Sequence, residues 1–258
     1  MELRTDADWA LVSPTSMGVR ITPDGRQPVH ISDRFTMQAT SAESNVLSVS
    51  SHLGLPVKVL TNFVEGSPIS AFIRANLRSR GIDYEGPEKP QGGAWGYRHQ
   101  FNIADAGFGG RAPRVWNDRA GEVGRDLDIA DFDTDRLFGT EGVQLLHLSG
   151  LIGALSPASS RFCLELARAA RANGTLVSFD LNYRASFWKG REEELAAVFA
   201  ELAEASDILI GNEEDFKLAL GIEGPEAGGK DLADQLAGFE EMIGRARARF
   251  GRAQLFAT

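Results

Sequence analysis

The sequence predicts an α/β protein with a mostly parallel central sheet. Short apolar runs rich in β-formers (residues 57–61, 143–148, 176–179 and 208–210) alternate with stretches of helical character. Strand, helix, strand and helix in this order imply parallel pairing through right-handed crossovers. Two of the runs also end in polar side chains, Asp180-Leu-Asn-Tyr-Arg184 after 176–179 and Asn212-Glu-Glu-Asp215 after 208–210. The carboxyl ends of parallel strands are where open α/β sheets bind ligands, so Asp180, Asn182, Arg184, Asn212 and Asp215 are candidate site residues.

The elements follow in order. Residues 11–21 read as a first strand broken around Pro14 and Gly18. Residues 29–37 alternate weakly and suit a strand exposed on one face. Thr40-Ser-Ala-Glu43 has the form of a capping box for a helix that runs to Leu53 and stops at Gly54. After the strand at 57–61 comes a helix over 68–80, with Pro68 in its first turn and Gly81 past its end. Residues 88–119, rich in Gly and aromatics (Trp95, Tyr97, Phe101, Phe108, Trp116), lack a helical period and read as strands outside the main sheet.

The strand at 143–148 contains His147, which reads as a hydrogen-bonded core histidine because no set of metal-ligating side chains accompanies it. Ser156-Pro157 starts a helix that reaches Asn173 and Gly174. Residues 191–203 form an amphipathic helix with Glu192, Glu193 and Glu194 where the dipole favours acids. A short helix over 212–220 closes at Gly221, a longer one covers 230–250, and 253–258 begin another strand.

A chain of 258 residues, 43% of them hydrophobic, buries a sizeable core, and no Pro/Ser-rich linker divides it. A formal net charge of -9 argues against nucleic acid as a partner and requires a local arginine cluster for any acidic ligand. The single cysteine, Cys163, lies in an apolar helical stretch and reads as a core thiol in a reducing compartment. The amino terminus lacks a signal-peptide layout and no apolar run is long enough to span a bilayer, so the cytoplasm is expected. No Walker A pattern is present. Gly107-Phe-Gly-Gly110 lacks the third glycine of a dinucleotide fingerprint and follows no buried strand.

Residues 148–221, through Asp180-Leu-Asn-Tyr-Arg184 and Asn212-Glu-Glu-Asp215, resemble the ribokinase (PfkB) family of sugar kinases, and above all its 2-keto-3-deoxygluconate kinase branch. The resemblance implies a three-layer α/β/α ribokinase-like domain over residues 1–258, carboxy-terminally incomplete, with a small β lid at about 22–40 and 88–121. It implies ATP-dependent phosphorylation of a sugar acid with Mg²⁺ and no direct metal ligand in this chain. Substrate contacts would fall to Asn45, Tyr97, Arg119, Asp180, Asn182 and Arg184. Asn212 and Asp215 would order magnesium waters and phosphates, although an acid cluster there also suits a helix first turn.

Arg119 and Arg184 would form a carboxylate clamp, with an Arg184–Asp180 ion pair as the alternative. The lid would pair with a second copy in a homodimer. The family's catalytic base and glycine-rich nucleotide segment are expected beyond Thr258, which leaves the 258-residue chain inactive and aggregation-prone. Several positions depart from the family pattern. Ser16 stands near an expected acid, Thr40-Ser41 replaces a paired glycine, Glu65-Gly-Ser-Pro68 replaces Gly-Asp-Asp-Pro, Asn117 replaces a tyrosine and Asp215 a glutamate. A neutral-sugar kinase, a non-catalytic sugar-binding module and a Rossmann oxidoreductase are the competing readings.

Overall fold

A computed structural model describes residues 1–225 and 232–258, which form two compact units: Met1–Pro14 with Asp128–Thr258, and Thr15–Leu127. The first unit opens with β1 (Trp9–Pro14). The second contributes β2 (Gly18–Pro23), β3 (Phe35–Thr40), α1 (Ala42–His52), β4 (Val57–Leu60), β5 (Phe63–Val64), α2 (Pro68–Ser79), β6 (Asp83–Glu85), β7 (Glu88–Lys89), β8 (Gln100–Asp105) and β9 (Arg114–Asp118). The chain then returns to the first unit with β10 (Val143–Ser149), α3 (Gly150–Gly153), α4 (Pro157–Ala172), β11 (Leu176–Asp180), α5 (Ala185–Trp188), α6 (Glu192–Ala205), β12 (Ile208–Ile210), α7 (Glu213–Leu220), α8 (Leu232–Arg249) and β13 (Leu255–Ala257). The expected helix start at Lys230 lies outside the described residues.

In the first unit the strands run β13-β12-β11-β10-β1, every pairing parallel. Parallel strands are covered on both faces, which is why they are largely apolar: Val12, Leu146, Leu148, Val177, Phe179 and Leu209 are all buried. Phe162 and Leu166 of α4 and Phe199 and Leu202 of α6 are buried with them. Ser156 caps α4 through a reciprocal pair with Ser159, and Pro157 takes the first helical position, as the sequence indicates. Cys163 is buried on α4.

The second unit contains a four-stranded sheet ordered β3-β2-β8-β9, with β2 and β8 parallel and the outer pairs antiparallel. Its register puts Val19, Ile21, Met37, Phe101, Ile103 and Trp116 on one face and Arg20, Gln38, Asn102 and Asn117 on the other. This sheet occupies the stretches expected to form a lid, with two differences. It begins at Gly18, because the break at Pro14 ends β1 and the chain resumes as β2 in the other unit. Glu88–Lys89 pairs instead with Phe63–Val64 in a separate two-stranded ribbon.

The expected strand at 29–37 starts only at Phe35. Val29–Ile31 is a 3₁₀ turn after Pro28, and residues 24–34 close as a loop clipped by Asp24 N–H to the Arg34 carbonyl (3.1 Å) and Thr36 Oγ1 to Asp24 Oδ1 (2.7 Å). The cap of α1 is Ser41 rather than Thr40. Ser44 N–H donates to Ser41 Oγ (2.9 Å) and Ser41 N–H to Ser44 Oγ (3.2 Å). The buried Glu43 carboxylate accepts instead from Thr15 Oγ1 at 2.7 Å.

His147 is buried in β10 with Nδ1 3.2 Å from Ser178 Oγ, and burial pushes its imidazole down to about 4. The unfolded chain therefore takes up the proton first. The stabilisation is complete above the ordinary histidine range near 6.5 and is lost as pH falls toward and through 4. His147→Gln is expected to remove roughly 2 kcal/mol of the stability difference between pH 7 and pH 4.5. Urea unfolding of both proteins at both pH values checks this, and equal differences in the two proteins would refute it.

Candidate functional site

In the first unit the site is built at the carboxyl ends of β10, β11 and β12. Beyond Asp180 the chain cannot continue as a strand, because Asn182 adopts a positive φ of 37°, a conformation that Asn tolerates better than most residues. Three hydrogen bonds fix the turn: Leu181 N–H to the Ile210 carbonyl (2.8 Å), Asn182 Nδ2 to Ser149 Oγ (3.1 Å) and Tyr183 N–H to Asp215 Oδ1 (3.0 Å). Gly150 is required beside it, since a Cβ there would lie 2.0 Å from the Leu181 carbonyl oxygen.

The turn also rests on the core through aromatic contacts. Phe179 meets Phe199 at 5.4 Å, Phe199 meets Trp188 at 4.9 Å, and Trp188 meets Tyr183 at 5.0 Å between ring centroids. Arg184, next in sequence, is exposed. Its Nη1 donates to the neighbouring Tyr183 carbonyl at 2.6 Å, and among the described residues it makes no ion pair.

Asn212 and Asp215 form a capping box on α7: Asp215 N–H donates to Asn212 Oδ1 (2.8 Å) and Asn212 N–H to Asp215 Oδ2 (3.1 Å). Both carboxylate oxygens of Asp215 thus accept backbone donors, one from this helix start and one from the turn at Tyr183. Neither bond is an ion pair. Among the described residues no group of three or more His, Cys, Asp or Glu gathers to hold a metal directly.

In the second unit, Tyr97 and Arg119 each meet an acid from the stretch after β9. The Tyr97 hydroxyl bonds Asp126, which raises the phenol above its ordinary value. Arg119 Nη1 donates to Glu122 Oε1 at 2.6 Å. Sequence reasoning missed Glu122 and Asp126; the spacing Arg119-Ala-Gly-Glu122 carried the i, i+3 signal for the ion pair. Asn45 is exposed in the first turn of α1. The structure thus groups Asp180, Asn182, Arg184, Asn212 and Asp215 in one unit and Asn45, Tyr97 and Arg119 in the other.

Residues 130–246, which span β10 to most of α8, match the model of the pfkB family carbohydrate kinases. This segment is a PfkB-family carbohydrate kinase domain. It holds every site residue of the first unit. A 5-dehydro-2-deoxygluconokinase of Clostridium perfringens is 36% identical over 104 residues, 40% of this chain and 29% of that protein. The chain therefore matches less than a third of the length of that curated relative. Among solved structures, a 2-dehydro-3-deoxygluconokinase of Thermotoga maritima superposes with a TM-score of 0.81 at 24% identity, over 94% of this chain and 69% of its own. A sugar kinase of Pyrococcus horikoshii in complex with ATP gives a TM-score of 0.68 at 18% identity, over 83% of this chain and 67% of its own. These likenesses establish the ribokinase-like α/β fold.

Within the PfkB domain the helix cap at Asn212 also sets the geometry of the turn, because Asp215 serves both. Asn212→Ala is expected to cost about 1 kcal/mol of stability through loss of the cap. Urea unfolding with far-ultraviolet circular dichroism checks it; an unchanged midpoint would show that the cap carries no weight.

Proposed function

We propose that this chain belongs to an enzyme that transfers a phosphoryl group from ATP to a keto-deoxy sugar acid, with 2-keto-3-deoxygluconate as the leading substrate. The observation that carries the proposal is Arg184: its exposed guanidinium has no acid partner among the described residues, and it follows β11 on a turn held by three hydrogen bonds. In a chain of net charge -9, an arginine on a braced turn with no ion pair among the described residues is suited to an anion, since guanidinium matches a carboxylate bidentately. The names of the relatives support the same class. The Clostridium protein and the Thermotoga structure are kinases of two different dehydro-deoxygluconates, both sugar acids.

In this reading Asp180 and Asn182 accept and donate to sugar hydroxyls in the first unit, while Asn45, Tyr97 and Arg119 are the second unit's contacts. The donor chemistry of Asn212 and Asp215 fits a hydrated Mg²⁺. Both offer hard oxygens, and Asp215 carries negative charge at a helix start. A bound Mg²⁺ would neutralise phosphate charge during transfer. These residues would hold its waters, since the capping box leaves them as hydrogen-bond acceptors rather than as a direct ligand set. A neutral-sugar kinase is the second reading, favoured by the pairing of Arg119 with Glu122.

We also infer a homodimer through the four-stranded sheet, supported by the exposed Phe35, Met37, Val115 and Trp116, of which Phe35, Met37 and Trp116 share its apolar face.

Two measurements follow. In the active protein, Arg184→Ala is expected to weaken a sugar acid by about 2 to 4 kcal/mol and a neutral analogue far less; equal losses would remove the carboxylate contact. Sedimentation equilibrium is expected to show a dimer at micromolar concentration that Trp116→Glu dissociates, and a monomer throughout would refute the interface.

A further inference from the structure

Glu122 is the feature of the second unit to which the sugar-acid reading gives no role. It is 1% exposed, and its Oε1 accepts from both Ser16 Oγ and Arg119 Nη1. Its Oε2 is equally buried and meets no donor among the described residues. The surroundings are built to hold it. Val123 N–H donates to the Arg98 carbonyl at 3.0 Å, and Asn62 Nδ2 donates to the carbonyls of Val123 (3.3 Å) and Asp126 (3.0 Å). At Gly124 a Cβ would lie 2.1 Å from Ser16 Oγ, so the backbone closes directly against the serine that bonds the carboxylate. Asn62 Oδ1 is another buried acceptor that meets no donor among the described residues.

A buried carboxylate with one oxygen doubly bonded and the other unmet is costly unless something donates to it. Glu122 itself is closed to a ligand, so what the pair offers outward is the Arg119 guanidinium, whose N–H groups suit the oxygens of sugar hydroxyls; an incoming carboxylate would meet a charge already offset by Glu122.

We propose that Glu122 decides what Arg119 recognises: the buried ion pair offsets the guanidinium charge from behind, so Arg119 meets a ligand as a hydrogen-bond donor to sugar hydroxyls and does not anchor a substrate carboxylate. This rests on the sugar-kinase reading and narrows it. It assigns Glu122 as a specificity-determining residue and takes Arg119 out of the carboxylate clamp expected from the sequence. The Arg119 side chain, 17% exposed against 0% for Glu122, is the half of the pair that a ligand reaches first.

Isothermal calorimetry with 2-keto-3-deoxygluconate and with fructose tests the assignment in the unsubstituted protein and two variants. Glu122→Gln keeps the shape and the bond to Ser16 but frees the guanidinium charge. It is expected to raise the preference for the acid over the neutral sugar by about tenfold. Arg119→Gln is expected to weaken both ligands alike, and it carries the test if Glu122→Gln does not fold. A folded Glu122→Gln protein with unchanged preference would overturn the assignment, as would an Arg119→Gln protein that selectively loses the acid. A merely structural Glu122 would lower the melting temperature and leave the preference untouched. Binding of neither ligand by the unsubstituted protein would overturn the sugar-kinase reading and this assignment with it.

Discussion

The turn at Leu181–Tyr183 is the constraint on which the first unit's site depends. A parallel strand that simply ran on would carry Arg184 away from the strand ends; the positive φ of Asn182 redirects it, and that conformation persists only because the surroundings over-determine it. Neighbouring elements on both sides of β11 supply the restraint. Ser149 at the end of β10 takes the Asn182 side chain, Ile210 of β12 takes the Leu181 amide, and Asp215 of α7 takes the Tyr183 amide. Asp215 thereby couples the start of a helix to the position of an arginine it does not touch. The same residue explains why an acid at this place in the PfkB domain serves the fold whatever it does toward phosphate.

The arginines of the two units differ in their electrostatic setting rather than in kind. Arg184 is exposed and makes no ion pair among the described residues, so its charge is available to an anion. Arg119 donates to a fully buried carboxylate, and a buried pair of this sort contributes little net stability while imposing strict geometry. Equivalent residue types at equally suggestive sequence positions are therefore suited to different ligand groups. The distinction is legible only once the partner of each guanidinium is known.

Much of the fold was legible because its signals are local. Pro157 after Ser156, Gly221 in the left-handed conformation after α7, and predominantly apolar runs at β10, β11 and β12 each specify an element without help from distant residues. Capping at α1 was misassigned by one residue because Thr40 and Ser41 are both competent caps, and the choice turns on Glu43 being engaged by Thr15, 28 residues away in sequence. The strand at Phe35 was placed too early because alternation among Val29, Ile31 and Phe35 mimics a strand. The clip between Asp24 and Thr36 instead folds that stretch into a loop. The site divides in the same way. Strand-end residues were visible from pattern, whereas Glu122 and Asp126 are contacts made by residues that read as ordinary loop acids.

The most direct test of the account is a calorimetric titration of the unsubstituted protein with 2-keto-3-deoxygluconate, fructose and NAD in one buffer. The account predicts saturable binding of the sugar acid, fructose weaker by about tenfold or more, as expected for one lost charge-assisted contact, and no binding of NAD. Fructose binding as tightly as the acid, or NAD binding in place of both sugars, would contradict it.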